Sequence, residues 1–324
     1  MYNVVSLFCG CGGADVGILC GFVFNRQKYT KLPFDIIYAT DIDEKAISTY
    51  KANFKAGEIV CADIKNVDAK SVPSCDVLVG GFPCQSFSTV NPTKNPFDGR
   101  AQLYKEMLRI ANIIKPKIII AENVKGFRTL CGGKIFDTVI SEFKAIGYNV
   151  YSSMVNSSNY GVPQKRERAI IVAINTEIKS NFAFPEKTTE NNKVPLSIAV
   201  PQVDIADKKY YFSEKAVLGM KNAKKNMKRG LAQNLDEPCL TITSHLAKTS
   251  LNSRDPVLLV DPMKELYRRF TPREAARIQS FPETFVFTGS EMDAYRQIGN
   301  AIPPVMFWHI AKAVSDFLDN EEIL

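Results

Sequence analysis

The sequence predicts a doubly wound α/β fold, a mostly parallel sheet covered on both faces and interrupted by a smaller irregular domain. Three observations carry this reading. Over the first 175 residues, short apolar runs of strand length alternate with segments of helical period. The runs are continuously apolar, the mark of strands buried on both faces beneath crossover helices. From about residue 176 the alternation breaks down into short polar and prolyl stretches, and regular patterning returns only near 265.

The elements follow in order. Val4-Val5-Ser6-Leu7-Phe8 reads as a buried strand, followed by Gly10, Gly12 and Gly13 and then a helix. Phe34 to Thr40 reads as a second strand. Asp43 to Phe54 places Ala46, Ile47, Tyr50 and Phe54 on one helical face. Ile59-Val60-Cys61 is a third strand. Val77-Leu78-Val79 is a fourth, ending in Gly80-Gly81-Phe82-Pro83-Cys84. Leu103, Met107, Ile110 and Ile114 mark a helix. Ile118-Ile119-Ile120 is a fifth strand, ending in Ala121-Glu122-Asn123, and Ile170 to Ile174 is the last strong one. Thr271-Pro272-Arg273-Glu274 has the pattern of a capping box with proline at the first helical position. Met306, Ile310, Ala313 and Phe317 recur at helical spacing after Pro303-Pro304. The expected division is 1–175 plus 263–324 for the sheet domain and 176–262 for the inserted one.

Composition bounds the function. Apolar residues make up 45% and charged residues 23%, which is globular and not disordered. The 41 Lys and Arg against 34 Asp and Glu give a net charge of +7, a mild excess that permits a polyanionic partner. No apolar run approaches the roughly 18 residues of a membrane span. Residues 4–24 are fairly apolar, but no basic residue precedes them, Asp15 interrupts them and glycines break them up, which argues against a signal peptide. A cytoplasmic location follows as the expectation, with the eight cysteines as reduced thiols. No C-x-x-C pair occurs, and the two histidines, His245 and His309, are far apart, so a metal site is not expected. Most of the cysteines read as small buried hydrophobes.

Ligands of such sheets sit beyond the carboxyl ends of the strands. The first turn, Phe8-Cys9-Gly10-Cys11-Gly12-Gly13, lets backbone approach a ligand closely. It lacks the third glycine of the dinucleotide fingerprint, since Asp15 stands there, and no G-K-[ST] follows. Asp41 ends the second strand, where a carboxylate can take both hydroxyls of a ribose. Asp63 ends the third, where a carboxylate can accept from an adenine amino group, and Ile42 can pack on a purine face. The set describes a nucleoside ligand without a strict pyrophosphate cradle, which S-adenosylmethionine fits.

A second cluster carries reactive groups. Cys84 follows a strand end and a proline in Gly81-Phe82-Pro83-Cys84-Gln85-Ser86-Phe87-Ser88, a setting for a nucleophile. A free thiol with pKa near ~8.5 is only slightly ionised at neutral pH, so a cationic neighbour would help. Glu122 ends the adjacent strand. Arg166 and Arg168 lie in Gln164-Lys165-Arg166-Glu167-Arg168, just before the last strand. Singly, each has a plainer reading: a buried thiol, a surface carboxylate, an exposed basic cluster. Their shared placement at strand ends beside a nucleoside pocket favours a reactive site.

At this point the chain resembles the bacterial DNA (cytosine-5)-methyltransferases. The matching segments are Phe8 to Gly13, Gly81 to Ser88, Glu122-Asn123-Val124, Gln164 to Arg168, Arg268 to Pro282 and Gln297-Ile298-Gly299-Asn300. They follow the family's order and spacing over nearly the whole chain. Phe-Pro-Cys-Gln with Glu-Asn-Val is highly specific; the glycine turn alone is not. Residues 176–262 fall where this family places its target-recognition domain.

The resemblance implies a Rossmann-like, S-adenosylmethionine-dependent enzyme. In it Cys84 attacks carbon 6 of a cytosine, and Glu122 hydrogen-bonds or protonates ring nitrogen 3. Glu122 should then spend time protonated. Arg168 would bind the cytosine carbonyl oxygen and Arg166 its backbone surroundings. The cofactor residues carried over are Phe8, Gly10, Gly12, Gly13, Asp41, Ile42, Asp63, Leu103 and Asn300. A base inside a duplex must be flipped out to reach such a pocket. Residues 86–101 resemble the family's active-site loop, with Ser88 and Arg100 as phosphate contacts. Gln164 is placed among the DNA contacts. The run at 221–229 carries five basic residues, of which Lys224, Lys225, Lys228 and Arg229 read as phosphate contacts, although a solvated helix face is the plain alternative. Thr241-Ile242 resembles the threonine-aliphatic element of recognition domains, and Asn252, Ser253 and Arg254 are placed to read base edges. The expected substrate is double-stranded DNA, the expected companion a separately acting restriction endonuclease, and the expected form a monomer. Three rivals stand beside this reading. The first is methylation of transfer RNA, whose enzymes typically carry a second proline where Phe82 stands. The second is a nicotinamide oxidoreductase, and the third a non-catalytic DNA-binding relative.

Overall fold

The computed structural model describes residues 1–19, 21–83, 103–179, 181–223, 231–247 and 256–320. Cys84, Ser88, Arg100, Lys224, Lys225, Lys228, Arg229, Asn252, Ser253 and Arg254 lie outside the described residues. So does the whole of the expected active-site loop, 86–101.

Seven strands build the main sheet: β1 (Tyr2–Leu7), β2 (Phe34–Asp41), β3 (Glu58–Cys61), β4 (Val77–Gly80), β5 (Ile118–Val124), β6 (Tyr148–Asn156) and β7 (Glu167–Asn175). Their spatial order is β3-β2-β1-β4-β5-β7-β6. The first five run parallel, whereas β7 is antiparallel to both β5 and β6. The order turns back between β1 and β4, which opens a crevice beyond the carboxyl ends of those strands.

Side chains alternate between two cores, as the two-residue period of a strand requires. Val4, Val77, Ile118 and Ile120 face one core; Val5, Leu78 and Ile119 face the other. The first core is closed by α1 (Gly13–Leu19) and by the terminal helix, the second by α3 (Leu103–Ile114) and α4 (Lys134–Ala145). Helix α2 (Glu44–Asn53) starts at Asp43, whose carboxylate accepts from the Lys45 and Ala46 amides. Among the described residues no helix is long and apolar enough to cross a membrane.

Ile178 and Phe182 still pack in the first core. A third core joins residues 196–246 to residues 270–301: Leu196, Cys239, Ile242 and Leu246 meet Phe270, Ile278, Phe281 and Ile298. The irregular segment contains one ten-residue helix, α5 (Glu214–Ala223). It is followed by α6 (Pro272–Ile278), α7 (Glu291–Asn300) and the terminal α8 (Pro304–Leu318). The capping box read from Thr271-Pro-Arg-Glu is present: Thr271 Oγ accepts from the Glu274 amide, and the Glu274 carboxylate accepts from the Thr271 amide. The same carboxylate takes a bidentate, fully buried pair from Arg268 at 2.7 and 2.8 Å, and Arg268 also donates to the Gln202 and Val203 carbonyls. Pairing in both directions offsets the desolvation of the two charges.

Helix α8 returns to the start of the chain. A Cβ on Gly17 would stand 2.6 Å from the Pro304 carbonyl, and one on Gly13 2.5 Å from the Ile302 carbonyl. The chain's last helix therefore packs directly on its first.

Under the same junction lies Asp15, fully buried, with both carboxylate oxygens 2.9 Å from the Ser6 hydroxyl. Burial pushes its carboxyl up to about 6. Because the folded chain favours the protonated acid, folding loses stability as pH rises from about 4 to about 6, and the loss persists above that. At 1.36 kcal/mol per unit the full cost is about 3 kcal/mol. Asp15→Asn keeps the shape and an acceptor for Ser6. It should raise the urea midpoint relative to wild type at pH 8 and leave it nearly unchanged at pH 4. An equal difference at both values would show that Asp15 carries its charge without penalty.

Candidate active site

The carboxyl ends of β1 to β5 open into one cavity of about 800 Å³. Its first end is built from the turns after β1, β2 and β3. Phe8 leaves β1 with φ +54, a left-handed backbone that a bulky residue adopts only under constraint. That turn presents Gly10 to the cavity, where no atom lies within 4 Å of an added Cβ. The Gly10 amide donates to Asp41 Oδ2 and the Asp43 amide to Asp41 Oδ1, both at 2.8 Å. Each oxygen keeps a further lone pair for a hydroxyl. Burial raises the Asp41 carboxyl above its ordinary range. Ile42 follows with 66% of its surface exposed, an apolar side chain on the cavity wall. Asp63 accepts from the Lys65 amide at 3.1 Å and lines the same end, with Leu103 and the exposed Asn300.

Gly13 lines the cavity as well, and both it and Gly12 also serve packing. A Cβ on Gly12 would overlap the Phe54 ring, and one on Gly13 the Ile302 carbonyl. Gly12 does not line the cavity. Both glycines are required by packing against the chain itself, and Gly10 is the one whose missing side chain leaves open space. The neighbouring Cys9 and Cys11 are neutral thiols: burial raises Cys9 well above its ordinary value and pushes Cys11 up to about 12.

The second end is built from the turn after β4 and from β5 and β7. The chain reaches Pro83 on the cavity wall, one residue before Cys84, and is described again from Leu103, also on that wall. Glu122 projects from β5. Arg168 Nε meets Glu122 Oε1 at 2.8 Å, with side chains 11% and 12% exposed. The antiparallel direction of β7 makes this possible. It brings the start of β7 to the edge where the parallel strands end, with Arg168 opposite Val124, two residues along from Glu122. A Cβ on Gly81 would lie 3.0 Å from Glu122 Oε2, so the turn clears space for the carboxylate. Asn123 is a site residue that the sequence did not single out for a role. It is buried, its amide donates to the Phe82 carbonyl at 3.1 Å, and its oxygen accepts from the Val124 amide. This fixes the turn two residues before Cys84. The signal was its place in Glu-Asn-Val, but an inward-facing amide cannot be told from an outward one by sequence.

Three expected contacts are corrected or narrowed. Gln164 is 0% exposed and its side chain is spent inside the protein: Nε2 donates to Gln279 Oε1 at 2.8 Å, and Oε1 accepts from the Ile242 amide at 2.9 Å. It therefore has no surface to offer DNA. Arg166 is buried on the cavity wall, and its fork donates to the carbonyls of Ile242, Gly299 and Ala301. Burial lowers its pKa well below the usual guanidinium value, with Arg168 adding to the effect. Thr241 lines the cavity, but its hydroxyl donates to the Lys165 carbonyl at 2.8 Å.

The geometry offers a nucleoside-sized end and a paired acid and base end within one cavity. Comparison with known proteins identifies the family. Residues 2–316 match the model of the C-5 cytosine-specific DNA methylases. The Type II methyltransferase M.BspRI of Lysinibacillus sphaericus is 31% identical over 351 residues, covering 98% of this chain and 82% of its own. M.FnuDI of Fusobacterium nucleatum, also a Type II methyltransferase, is 30% identical over 351 residues, covering 99% and 96%. Among solved structures, the S. pombe Dnmt2 methyltransferase has a TM-score of 0.74 at 21% identity, covering 98% of this chain and 99% of that one. The Entamoeba histolytica methyltransferase EhMeth has a TM-score of 0.75 at 20% identity, covering 98% of each. The two structures speak for the fold, a methyltransferase α/β sheet. The chain belongs to the C-5 cytosine-specific DNA methylases, and its activity is the transfer of a methyl group to carbon 5 of cytosine in DNA.

Proposed function

We propose that the chain methylates one short sequence in duplex DNA through a covalent Cys84 adduct on a flipped-out cytosine, with S-adenosylmethionine bound at the Asp41 end of the cavity. The observation that carries this is the continuity of the cavity, with Asp41, Ile42 and Asp63 at one end and Pro83, Glu122 and Arg168 at the other. The residues fit the cofactor. Asp41 keeps lone pairs for a ribose, Asp63 an acceptor for an amino group, Ile42 an uncovered apolar face, and Gly10 open space. When bound, the sulfonium supplies the methyl group.

The remaining work falls to the chain. The Cys84 thiolate forms a bond to carbon 6 and raises electron density at carbon 5. Glu122 hydrogen-bonds ring nitrogen 3 and stabilises the charge that develops there. Arg168, whose Nε pairs with Glu122 Oε1, lies beside it to bind the cytosine carbonyl oxygen. After methylation, loss of the carbon-5 proton restores the ring and expels Cys84 as thiolate. Recognition is assigned to the segment between residues 176 and 262, with Lys224, Lys225, Lys228, Arg229 and Arg254 on DNA. The companion of a Type II methyltransferase is a restriction endonuclease acting separately.

The deciding experiment is methyl transfer to unmethylated duplex DNA and to transfer RNA in parallel, read base by base after bisulfite conversion. Protected cytosines in one short DNA motif are expected. Label only in transfer RNA would overturn the substrate. A duplex with fluorine at carbon 5 of the target tests the adduct, because that substituent cannot leave as a cation. Wild type should stay attached to it through denaturing electrophoresis and Cys84→Ser should not.

Ile42 gives a second test. Removing most of its side chain uncovers the purine face and should weaken S-adenosylhomocysteine binding by about 1–2 kcal/mol, roughly tenfold, with little change in melting temperature. Calorimetry on Ile42→Ala reads this directly. Unchanged affinity would take Ile42 out of the pocket.

A further inference from the structure

The geometry points to a role for Arg166 that the reaction itself does not require: we propose that it is a positioning residue, tying cofactor occupancy to the seating of the recognition segment 239–246. The proposal rests on the reading that the Asp41 end of the cavity takes the cofactor.

Arg166 stands at the centre of a closed set of buried hydrogen bonds. Its Nη1 donates to the Ile242 carbonyl at 3.1 Å, and its Nη2 donates to the Gly299 and Ala301 carbonyls at 3.0 and 3.1 Å. Those two carbonyls flank Asn300, whose side of the turn lines the cavity. A second strut runs beside the first. The Ile242 amide donates to Gln164, Gln164 donates to Gln279, and Gln279 donates to the Ile298 and Ala301 carbonyls at 2.7 and 3.3 Å. The Ile242 carbonyl is thus held by Arg166, which also reaches Gly299 and Ala301, and its amide by Gln164, which reaches Ile298 and Ala301 through Gln279. Parallel pairing of Cys239–Leu240 with Gln164–Lys165 anchors the start of the same segment.

The arrangement is not the one that best satisfies Arg166 itself. Its Nε is buried and has no hydrogen-bond partner among the described residues, which costs stability. A guanidinium in this place is explained by its flat fork, which spans two segments at once; a lysine ammonium cannot do so. A fixed fork also limits how far 299–301 and 242 can move apart. Whatever orders the turn around Asn300 therefore orders Ile242, and by linkage the reverse holds with the same free energy.

The test is amide hydrogen exchange of residues 239–247, read by mass spectrometry with and without S-adenosylhomocysteine, with binding followed by calorimetry. In wild type the ligand should slow exchange in this segment by about tenfold, within the usual range of such couplings. Arg166→Lys should bind the ligand with measurable heat and show no slowing there. Equal slowing in wild type and variant overturns the proposal, as does binding to wild type without any slowing. Absence of binding heat in wild type would instead remove the cavity reading, and the coupling with it. Should Arg166→Lys fail to fold, Gln279→Leu cuts the second strut while leaving Arg166 in place. A reduced slowing then supports the coupling, and an undiminished one counts against it.

Discussion

Glu122→Gln is expected to lower the single-turnover rate of methyl transfer by about 10²–10³-fold at saturating DNA and cofactor. Glutamine keeps the shape of the side chain and can still meet ring nitrogen 3, but it has no proton to give. The variant also strips Arg168 of the carboxylate 2.8 Å away, at a place where both side chains are largely buried. A guanidinium left there without its counter-charge destabilises the fold, so a lower melting temperature should accompany the loss of rate. Temperature separates the two effects. Well below the variant's melting temperature the protein is folded, so a loss of rate that persists there reports the missing proton donor at ring nitrogen 3. A rate that recovers to wild type under those conditions would assign the proton to another group.

The elements legible from the sequence were those whose burial is complete. Val4 to Leu7, Val77 to Val79 and Ile118 to Ile120 are covered on both faces, and their unbroken apolar runs leave no other reading. Strand β6 was missed because it lies at the sheet edge, where Asn149, Ser152 and Ser153 interrupt the apolar pattern. The antiparallel direction of β7 could not be read either, since an apolar run carries no sign of direction. Yet that direction is what places Arg168 beside Glu122. Helix α7 went unseen because it is short of apolar residues, although Ser290 and Asp293 form a capping box at its start that could have marked it.

The site divides in the same way. The carboxylates at strand ends were found because strand ends are where such sheets bind ligands. Gln164 was expected on DNA because polar residues next to a reactive cluster look outward by default. What turns it inward is the Ile242 amide and the Gln279 side chain, while the neighbouring Arg166, on the cavity wall, donates to the Ile242, Gly299 and Ala301 carbonyls, all more than seventy residues away in sequence.

That inward set makes Gly299, on the cavity wall, an exacting position. A Cβ there would fall within the van der Waals envelope of the Thr243 carbonyl group and the Ser244 nitrogen. These are backbone atoms, so no rotamer change can make room; residues 243–244 have to back away. Overpacking of this kind costs about 1–3 kcal/mol, and more when both surfaces are backbone. Retreat of 243–244 also stretches the bond that the Ile242 amide donates to Gln164 and the one its carbonyl accepts from Arg166, so buried donors lose their partners together. Gly299→Ala should therefore lower the melting temperature by several degrees. It should also slow methyl transfer by about 10²-fold, the scale of a displacement near 1 Å at a positioned site. The fall in rate should persist well below the new melting temperature, because it reflects misplacement and not unfolding. Ser280, a buried small residue just after the end of α6, stands apart from this set; its hydroxyl accepts from the Val305 amide. Ser280→Ala is thus the matched control: it should lower stability through the lost acceptor and leave the rate of transfer near wild type. Similar rates in the two variants would mean that close seating of the recognition segment on Gly299 contributes to stability alone.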